Sequence, residues 1–420
     1  MDVDLGSIDT SEGKIKLKKD TLWWKLLKNP DREIRRKVYQ KSNALWESHK
    51  TTLASIVSGS VKRNVIRAKA RNYPSARAAA LFPDNVGEEV YDNLIATVGE
   101  NLGALHRYYS LRKRVLGLND LHSYDLSVPL VGSVKRRITW NEAVGLLSDS
   151  LSPLGNEYAS TLRTGLLGRW ADRYMSIGKS TYPFCVAGYW GDPYIMVTYE
   201  EDSLLELFVL AHESGHAMHV WHSARSNSFR HFDESIFEAE TASAVQEELL
   251  FRHILKTAEN DKELRLYLVN NRVDDLANML YRQTLLAEFD HIIHRLEESG
   301  VPLTADVLCG EYRNLVAKYY GPEFVMDDSS GLGGLKHYSS IPFHMYVYAT
   351  GVCAAFAIAD RILGGGERER ADYISFLKSG GSRFPIDSLK LAGVDMSHPE
   401  PVQSACRAFA DLVSELERLL

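Results

Sequence analysis

The chain has 420 residues, 45% of them hydrophobic, and its 49 Lys and Arg residues against 55 Asp and Glu residues give a formal net charge of −6. This length is too great for one small core, and it predicts two or three lobes or one large helical body. The acidic balance disfavours nucleic acid as a partner. We expect no membrane partner either, because the longest weakly polar stretch, 349–359, is too short to span a bilayer.

The cysteines and the first residues bear on the compartment. Four cysteines are widely separated, and no pair has zinc-finger spacing. The acidic N-terminus lacks the apolar segment of a secretory signal. These features predict a cytoplasmic protein without disulfides.

Helical periodicity dominates the predicted elements, taken in chain order. Asp31 is a candidate N-cap for a helix at 32–71, in which Gly59 is tolerated. Further helices are predicted at 83–116, 140–165, 203–222, 234–257, 261–299 and 304–319. The best strand pattern is 194–199, β-branched and aromatic, after turn residues at 191–193. The expected fold is therefore mostly α, with one small β-sheet beside the helix at 203–222.

The most informative segment is His212-Glu213-Ser214-Gly215-His216, which follows an apolar run. Residues four apart lie on one helix face, so His212 and His216 direct two imidazoles at one point, as a tetrahedral zinc requires. Glu213 lies beside that point, where its carboxylate can take a proton from a metal-bound water. A surface helix with two spaced histidines is the alternative, but the apolar flank disfavours it, because buried imidazoles would lack hydrogen bonds. The segment predicts an enzyme with one zinc ion per chain.

Two kinds of third ligand fit this motif. His222 lies ten residues after His212, the separation used by metzincin proteases, yet those enzymes need glycine where this chain has His219. Thermolysin-like sites instead take a glutamate from a second, downstream helix. The segment 233–256 offers five candidates, which are Glu234, Glu238, Glu240, Glu247 and Glu248. Helical periodicity places Glu240 and Glu247 on one face and does not choose between them.

Several separated segments resemble the thimet oligopeptidase family of zinc metallopeptidases, and specifically its oligoendopeptidase F branch. The segment 208–219 is similar to the family's metal helix, and 235–243 is similar to its ligand segment, whose Glu-x-x-Ser pattern falls on Glu240 and Ser243. The segments 376–382 and 392–395 match as well. The resemblance covers nearly everything from about residue 20 to 420, so it is far more specific than the motif alone.

The resemblance implies a large helical zincin-type body around a deep channel that admits short peptides and excludes folded proteins. It implies that His212, His216 and Glu240 bind the zinc, with Glu213 as the general base. The substrates implied are short unstructured peptides.

A second segment, 337–351, is similar to the family's His-aromatic-x-x-x-Pro-Phe-x-x-Tyr-x-Tyr-Ala-Thr-Gly stretch. By that resemblance His337 and Tyr348 are oxyanion or substrate contacts, and Tyr346 is a weaker candidate. His344 departs from the tyrosine usual at its position, so the main donor stays open between these residues. Such donors opposite the zinc would stabilise the developing oxyanion.

Glycines precede this segment. Gly333 and Gly334 belong to Gly-Leu-Gly-Gly-Leu at 331–335, which is interpreted as a flexible loop able to close over substrate and contact it.

The strand at 194–199 and the upstream 182–185 are expected to form a sheet edge beside the metal. A peptide could pair there by strand addition, which makes Tyr194 a candidate substrate contact. Cys185 is interpreted as a small buried residue rather than a nucleophile, because no histidine partner is implied by its spacing.

Residues 1–20 are interpreted as an N-terminal lead and 21–420 as one helical metallopeptidase catalytic domain. Family members usually carry another helical lobe before the region matched by 20–130, so this chain is expected to be a compact form or a fragment. A homo-oligomer would be one way to replace the missing channel wall.

The expected function is zinc-dependent cleavage of internal bonds in short peptides. Two alternatives stay open. A zinc carboxypeptidase would need a cation for the terminal carboxylate, which the sequence does not reveal. A non-catalytic peptide-binding scaffold would have no need of Glu213 as a base.

Overall fold

The computed structural model describes residues 6–10, 13–17, 22–132, 134, 136–339 and 341–420. Within these ranges the chain is mostly helical and carries two small sheets, which confirms the predicted fold class. The helices are α1 (Leu22–Leu27), α2 (Arg32–Ser48), α3 (Lys50–Ala70), α4 (Ala76–Leu81), α5 (Glu88–Glu100), α6 (Leu102–Val115), α7 (Trp140–Ser150), α8 (Asn156–Leu167), α9 (Leu205–Ser226), α10 (Ile236–Thr257), α11 (Lys262–Leu276), α12 (Gln283–Glu298), α13 (Ala305–Tyr320), α14 (Gly333–Lys336), α15 (Tyr346–Gly364), α16 (Glu367–Ser379), α17 (Pro385–Leu391) and α18 (Glu400–Leu419). The strands are β1 (Ser7–Thr10), β2 (Gly13–Lys16), β3 (Ala171–Asp172), β4 (Phe184–Val186) and β5 (Tyr194–Met196).

Several long predicted helices are interrupted. The helix expected at 32–71 is divided into α2 and α3 at His49, although Asp31 caps α2 as predicted by accepting from the Glu33 N–H at 2.8 Å. The helix expected at 83–116 is α5 and α6, which meet at Asn101. The segment 140–165 is divided by a 3₁₀ turn and by Gly155, whose φ of +95° is in a region that favours glycine. A π-helical turn, Ala277–Arg282, lies between α11 and α12.

The chain divides into two compact units. Unit 1 comprises Met1–Ala80, Gly99–Gly132 and Tyr281–Met345, and unit 2 comprises Leu81–Val98, Ser133–Leu280 and Tyr346–Leu420.

Unit 1 contains a hairpin that the sequence did not predict. Strands β1 and β2 pair antiparallel, with Ile8 opposite Ile15. Ile8 is buried with Leu17, Leu26 and Val38, so the hairpin is held by a small apolar cluster. The predicted lead at 1–20 lies partly outside the described residues, and its described part forms this hairpin.

Unit 2 is built around α10, which packs against both α9 and α15. Helix α15 is the one helix in the described ranges that is long and apolar enough to cross a membrane, by length and composition alone. However, 67% of its 18-residue apolar window is buried inside the protein, where α15 also packs against α18. The apolar stretch is thus longer than the predicted 349–359, and its burial accounts for its composition.

The second sheet, in unit 2, has the order β3-β5-β4. Strand β5 pairs antiparallel with β4, where Cys185 lies opposite Ile195, and parallel with β3. The predicted strand at 194–199 is therefore shorter than expected. It is also central rather than at an edge, because the two-residue β3, too short to leave a sequence pattern, covers its other side. The edge that packs against α9 includes β4.

Candidate metal centre and active site

A close crossing of α9 and α10 positions the candidate metal ligands. A Cβ atom added at Gly215 would lie 2.4 Å from the Ser243 Cα and 2.9 Å from the Ala242 carbonyl oxygen. Only glycine permits this approach of the two backbones. Gly215 therefore lets α10 bring Glu240 to the helix that carries His212 and His216.

The donor atoms of these three residues form one group. One ligand atom from each of His212, His216 and Glu240 lies within 4.8 Å of the others. The Nε2 atoms of the two histidines are 3.2 Å apart, and the His212 Nε2 is 3.7 Å from the Glu240 Oε2. Two imidazole nitrogens and a carboxylate are the donor set of thermolysin-like zinc sites.

A fourth residue orients the first histidine. The Glu247 Oε1 lies 2.5 Å from the His212 Nδ1, so the other ring nitrogen of His212 faces the group. Burial lowers the pKa of His212, but the hydrogen bond and charge of Glu247 outweigh burial and raise it to about 9. Burial and the charge of His212 lower the pKa of His216 to about 3, so its imidazole is neutral. A neutral imidazole is the form that binds a metal.

Glu213 lies beside this group and is only 4% exposed. Burial raises the pKa of Glu213 to about 7, with contributions from the carboxylates of Glu240 and Glu247 and an opposing one from His212. Its Oε2 atom has no hydrogen-bond partner among the described residues. A buried carboxylate oxygen without a partner is unusual in a purely structural role.

The five glutamates proposed from the sequence have different surroundings. Glu240 is in the metal group, and Glu247 contacts His212. Glu238 forms a capping box at the start of α10, where its Oε2 accepts from the Ser235 hydroxyl at 2.8 Å. Glu248 pairs with Arg272 and Arg252, and Glu234 lies 3.9 Å from the His219 Nδ1.

The metzincin alternative does not fit the structure. Helix α9 continues through His219 to Ser226 instead of turning. The His222 ring stacks on Tyr158 at 5.6 Å, and His222 is not part of the metal group.

Among the tyrosines, Tyr348 lines a cavity of about 490 Å³ that is also lined by His212, Glu213 and Glu240. Burial and the charge of Glu240 raise the pKa of Tyr348, so its hydroxyl keeps its proton. Tyr346 was predicted as a catalytic contact, but it is 3% exposed and packs on Tyr91 and Phe237 in the core of unit 2. Residues two apart point to different faces of a helix, so Tyr346 and Tyr348 cannot both face the cavity.

The candidates in unit 1 are His337, Gly333 and Gly334. His337 is exposed at the end of α14. The glycines are helical rather than part of an open loop. A Cβ added at Gly333 would lie 2.3 Å from the Tyr312 ring, and one at Gly334 would lie 2.6 Å from Phe289. Close packing thus explains both glycines, and the predicted flexible loop was wrong.

Tyr194 and Cys185 lie on the three-stranded sheet. Tyr194 is on the central strand and is not among the residues that line the cavity, so its predicted place at an open edge was wrong. Burial and the charges of Glu213 and Glu234 raise the pKa of the Cys185 thiol to about 12, as suits an unreactive cysteine.

Some residues of the site were not found from the sequence. Helical periodicity placed Glu247 on the same face as Glu240, but it could not predict that the Glu247 side chain contacts the His212 Nδ1. Arg272 and Asp275 of α11 also line the cavity. Their charges resemble those of any solvated helix in the sequence, and only the packing of α11 brings them here.

Two histidines on one helix, a glutamate on the next and a buried carboxylate beside them are typical of metallopeptidases with a His-Glu-x-x-His helix. The chain belongs to peptidase family M3, whose family model matches residues 25–408. This confirms the family resemblance seen in the sequence.

Relatives indicate the branch. The chain is 38% identical over 424 residues to oligopeptidase PepF of Bacillus subtilis, covering 100% of this chain and 62% of the relative. It is 37% identical over 396 residues to an oligoendopeptidase F homolog of Borreliella burgdorferi, covering 94% and 67%. The crystal structure of oligoendopeptidase-F from Enterococcus faecium superposes with a TM-score of 0.81 at 31% identity, covering 100% of this chain and 69% of that one. The chain thus spans about two thirds of the length of these proteins.

Proposed function

We propose that this chain is a zinc-dependent endopeptidase that hydrolyses internal bonds of short, unstructured peptides. The observation that carries the proposal is the group formed by His212, His216 and Glu240, with the buried Glu213 carboxylate beside it. The chain's membership of a peptidase family also supports peptide-bond hydrolysis. One zinc ion per chain and peptides as the substrates are part of the proposal.

The residues present fit a zinc ion. Two imidazole nitrogens 3.2 Å apart satisfy each other only if one of them carries a proton, whereas a cation satisfies both. Glu240 adds a carboxylate, and the set leaves a fourth position open, as catalytic zinc sites do. Glu247 would hold the His212 ring in the orientation and tautomer that a ligand needs.

Bound zinc would supply Lewis acidity to the scissile carbonyl and lower the pKa of water at the site. In the proposed mechanism Glu213 takes a proton from the attacking water as the water oxygen bonds to the carbonyl carbon. Glu213 then gives this proton to the leaving nitrogen as the carbon–nitrogen bond breaks. Its burial favours such a role, because a carboxyl of raised pKa can both accept and return a proton near neutral pH.

Tyr348 is proposed to donate a hydrogen bond to the developing oxyanion, since it lines the same cavity and keeps its proton. For His337 the same role rests on the family resemblance alone.

The two alternatives are less well supported. A carboxypeptidase needs an uncompensated cation for the terminal carboxylate, and Arg272 of the cavity is already paired with Glu248 at 2.6 Å and Asp275 at 2.8 Å. A scaffold would not require an unpartnered buried carboxylate at Glu213.

The test is cleavage of an internally quenched peptide of about ten residues by the zinc-loaded chain and by Glu213→Gln. We expect internal cleavage by the parent and a loss of at least about 10³-fold in kcat for the variant, because the amide cannot accept the proton. Zinc content measured in both proteins is the control, and it should be the same in both because Glu213 is not among the proposed zinc ligands. Equal cleavage by both proteins, or release of single C-terminal residues, would refute the proposal.

A further inference from the structure

Phe343 has a backbone conformation that its side chain does not favour. Its φ is +52°, in the left-handed region where a Cβ crowds the following carbonyl oxygen. Among the described residues the other non-glycine residues with positive φ are Asn72 and Asn85, and asparagine tolerates this region. A large aromatic residue keeps such a conformation only where its surroundings impose it, and strained conformations of this kind cluster at functional sites.

The Asp290 carboxylate of α12 holds the backbone of Phe343. The Phe343 N–H donates a hydrogen bond to the Asp290 Oδ2 at 2.5 Å, and the two residues are 3% and 8% exposed. A hydrogen bond to a charged acceptor is stronger than one to a neutral acceptor. If φ at Phe343 relaxed to a negative value, a buried N–H and a buried carboxylate oxygen would lose each other as partners. The bond to Asp290 therefore opposes that relaxation.

His294, one turn after Asp290 on α12, supports this contact. The His294 Nδ1 lies 3.0 Å from the Asp290 Oδ1, and the His294 and Phe343 ring centroids are 4.5 Å apart. The His294 Nε2 lies 3.2 Å from the side-chain amide nitrogen of Asn64 on α3. His294 is thus held at both ring nitrogens, and it packs against both Asp290 and Phe343. These four residues all belong to unit 1.

Phe343 lies in the segment that carries the proposed oxyanion donors. It follows His337, and it precedes Tyr346, where α15 begins. Tyr348 is in the first turn of α15. Because each residue has only two soft backbone dihedrals, a rotation about φ at Phe343 would redirect the backbone that joins His337 to Tyr348.

We propose that Asp290 is a positioning residue for the proposed reaction, which holds Phe343 in its left-handed conformation and so keeps the donors of this segment in place. The proposal rests on the proposed function and adds to it a residue that is neither in the metal group nor in the lining of the cavity. His294 assists by fixing the Asp290 carboxylate. Oxyanion donors act in the transition state, so we expect the effect in kcat rather than in KM.

Hydrogen exchange of the zinc-loaded protein, read by mass spectrometry, tests the hold on Phe343. Asp290→Ala removes the acceptor and should raise the exchange rates of peptides within 337–345 by at least about tenfold. Asp290→Asn keeps an oxygen acceptor and should raise them by less than about threefold. Asp31→Ala is the matched control in the same unit, because the Asp31 carboxylate accepts from the Glu33 N–H at 2.8 Å outside this segment. Unchanged exchange in Asp290→Ala would refute the hold.

Steady-state kinetics on the quenched peptide, at a temperature where circular dichroism shows every variant folded, tests the positioning role. Asp290→Ala should lower kcat by at least about tenfold, with KM within about threefold of the parent and one zinc per chain. Asp290→Asn should restore most of kcat, and Asp31→Ala should leave it unchanged. If Asp290→Ala folds poorly, His294→Phe keeps a ring against Phe343, removes the contact with the carboxylate and should lower kcat by at least about threefold. Unchanged kcat in these variants, a change in KM alone, or equal losses in Asp290→Asn and Asp290→Ala would overturn the positioning role.

The two measurements separate this proposal from the proposed function. Absence of cleavage by the zinc-loaded parent would refute the endopeptidase and any catalytic role of the segment, while faster exchange in Asp290→Ala would retain the hold on Phe343. Internal cleavage by the parent, with the same kcat in Asp290→Ala, would retain the endopeptidase and refute the positioning role.

Discussion

Helix α9 carries two pairs of histidines whose surroundings differ. His212 and His216 face Glu240 and the cavity, and the Glu247 carboxylate is 2.5 Å from His212. His219 and His222 are on the part of the helix that follows, and they pack on the rings of Phe376 and Tyr158. Both nitrogens of His219 lack a hydrogen-bond partner among the described residues.

The difference lies in the carboxylates that each pair meets. Burial lowers the pKa of His219 to about 3 and that of His222 to about 4, and the Glu234 oxygen is still 3.9 Å from His219. Residue type and helical spacing therefore do not by themselves make a histidine a metal ligand. A second helix must bring carboxylates to the correct face, and α10 does so only beside His212 and His216.

The largest expected effect is on zinc content. Glu240→Ala should abolish stoichiometric zinc and with it the peptidase activity, because two histidines alone bind zinc weakly. His222→Phe keeps the stacking on Tyr158 but removes both ring nitrogens, and it should retain one zinc per chain. Metal analysis of the two variants after gel filtration measures this. If His222→Phe lost its zinc and Glu240→Ala kept it, the assignment of the zinc ion to His212, His216 and Glu240 would be wrong.

Helix α15 allows a similar comparison between Tyr348, which lines the cavity, and Tyr346, which is buried in the core. Tyr348→Phe should lower kcat by about 10²–10³-fold with zinc content unchanged, because it removes a hydrogen-bond donor to the oxyanion. Tyr346→Phe removes the hydroxyl of a core tyrosine and should leave kcat within a factor of two or so. Steady-state kinetics on a quenched peptide tests both. A larger loss in Tyr346→Phe would mean that the buried ring, and not the residue in the cavity lining, carries the role.

The metal motif could be predicted from the sequence because its geometry is local. His212 and His216 need only one turn of helix, and periodicity reduced the third ligand to a face shared by Glu240 and Glu247. The resemblance selected Glu240. Assigning Glu247 to the His212 Nδ1 requires the side-chain geometry of two packed helices, which periodicity does not contain.

Features that depend on distant contacts were missed or wrong. Gly333 and Gly334 look like a loop in sequence, but they are helical, and glycine is required at both positions because Tyr312 and Phe289 leave no space for a Cβ. The strand that begins at Tyr194 was expected at an edge, but β3, a strand of two residues, pairs with Ile195 and Met196 and makes β5 the central strand. The break between α2 and α3 at His49 could not be predicted, because no glycine or proline lies there.

A moderate effect on zinc affinity is expected when the carboxylate that contacts His212 is changed, and none when the carboxylate near His219 is changed. Glu247→Gln should weaken zinc binding by about 10–100-fold, because it removes the charge that orients and strengthens His212 as a ligand. Glu234→Gln changes the carboxylate near His219 in the same way and should leave zinc affinity unchanged. Competition with a chromophoric chelator measures both constants. Equal affinities in the parent and Glu247→Gln would show that this contact does not support the metal site.

The smallest effect concerns the close crossing of α9 and α10 at Gly215, which lies between His212 and His216 of the first histidine pair. Gly215→Ala places a methyl group 2.4 Å from the Ser243 Cα, and since backbone cannot move aside as a flexible side chain can, α9 and α10 must separate. We expect a loss of about 1–3 kcal/mol in the free energy of unfolding, as for other overpacked sites, together with weaker zinc binding.

Gly59→Ala is the matched control, because a Cβ there meets no atom within 4 Å. In the middle of α3 that change should stabilise the protein by about 0.5–1 kcal/mol. Denaturant unfolding of the two zinc-free variants gives the stabilities, and chelator competition gives the affinities. If Gly215→Ala were as stable as the parent and bound zinc as tightly, the close approach of α9 and α10 would not be what places Glu240 beside the histidines.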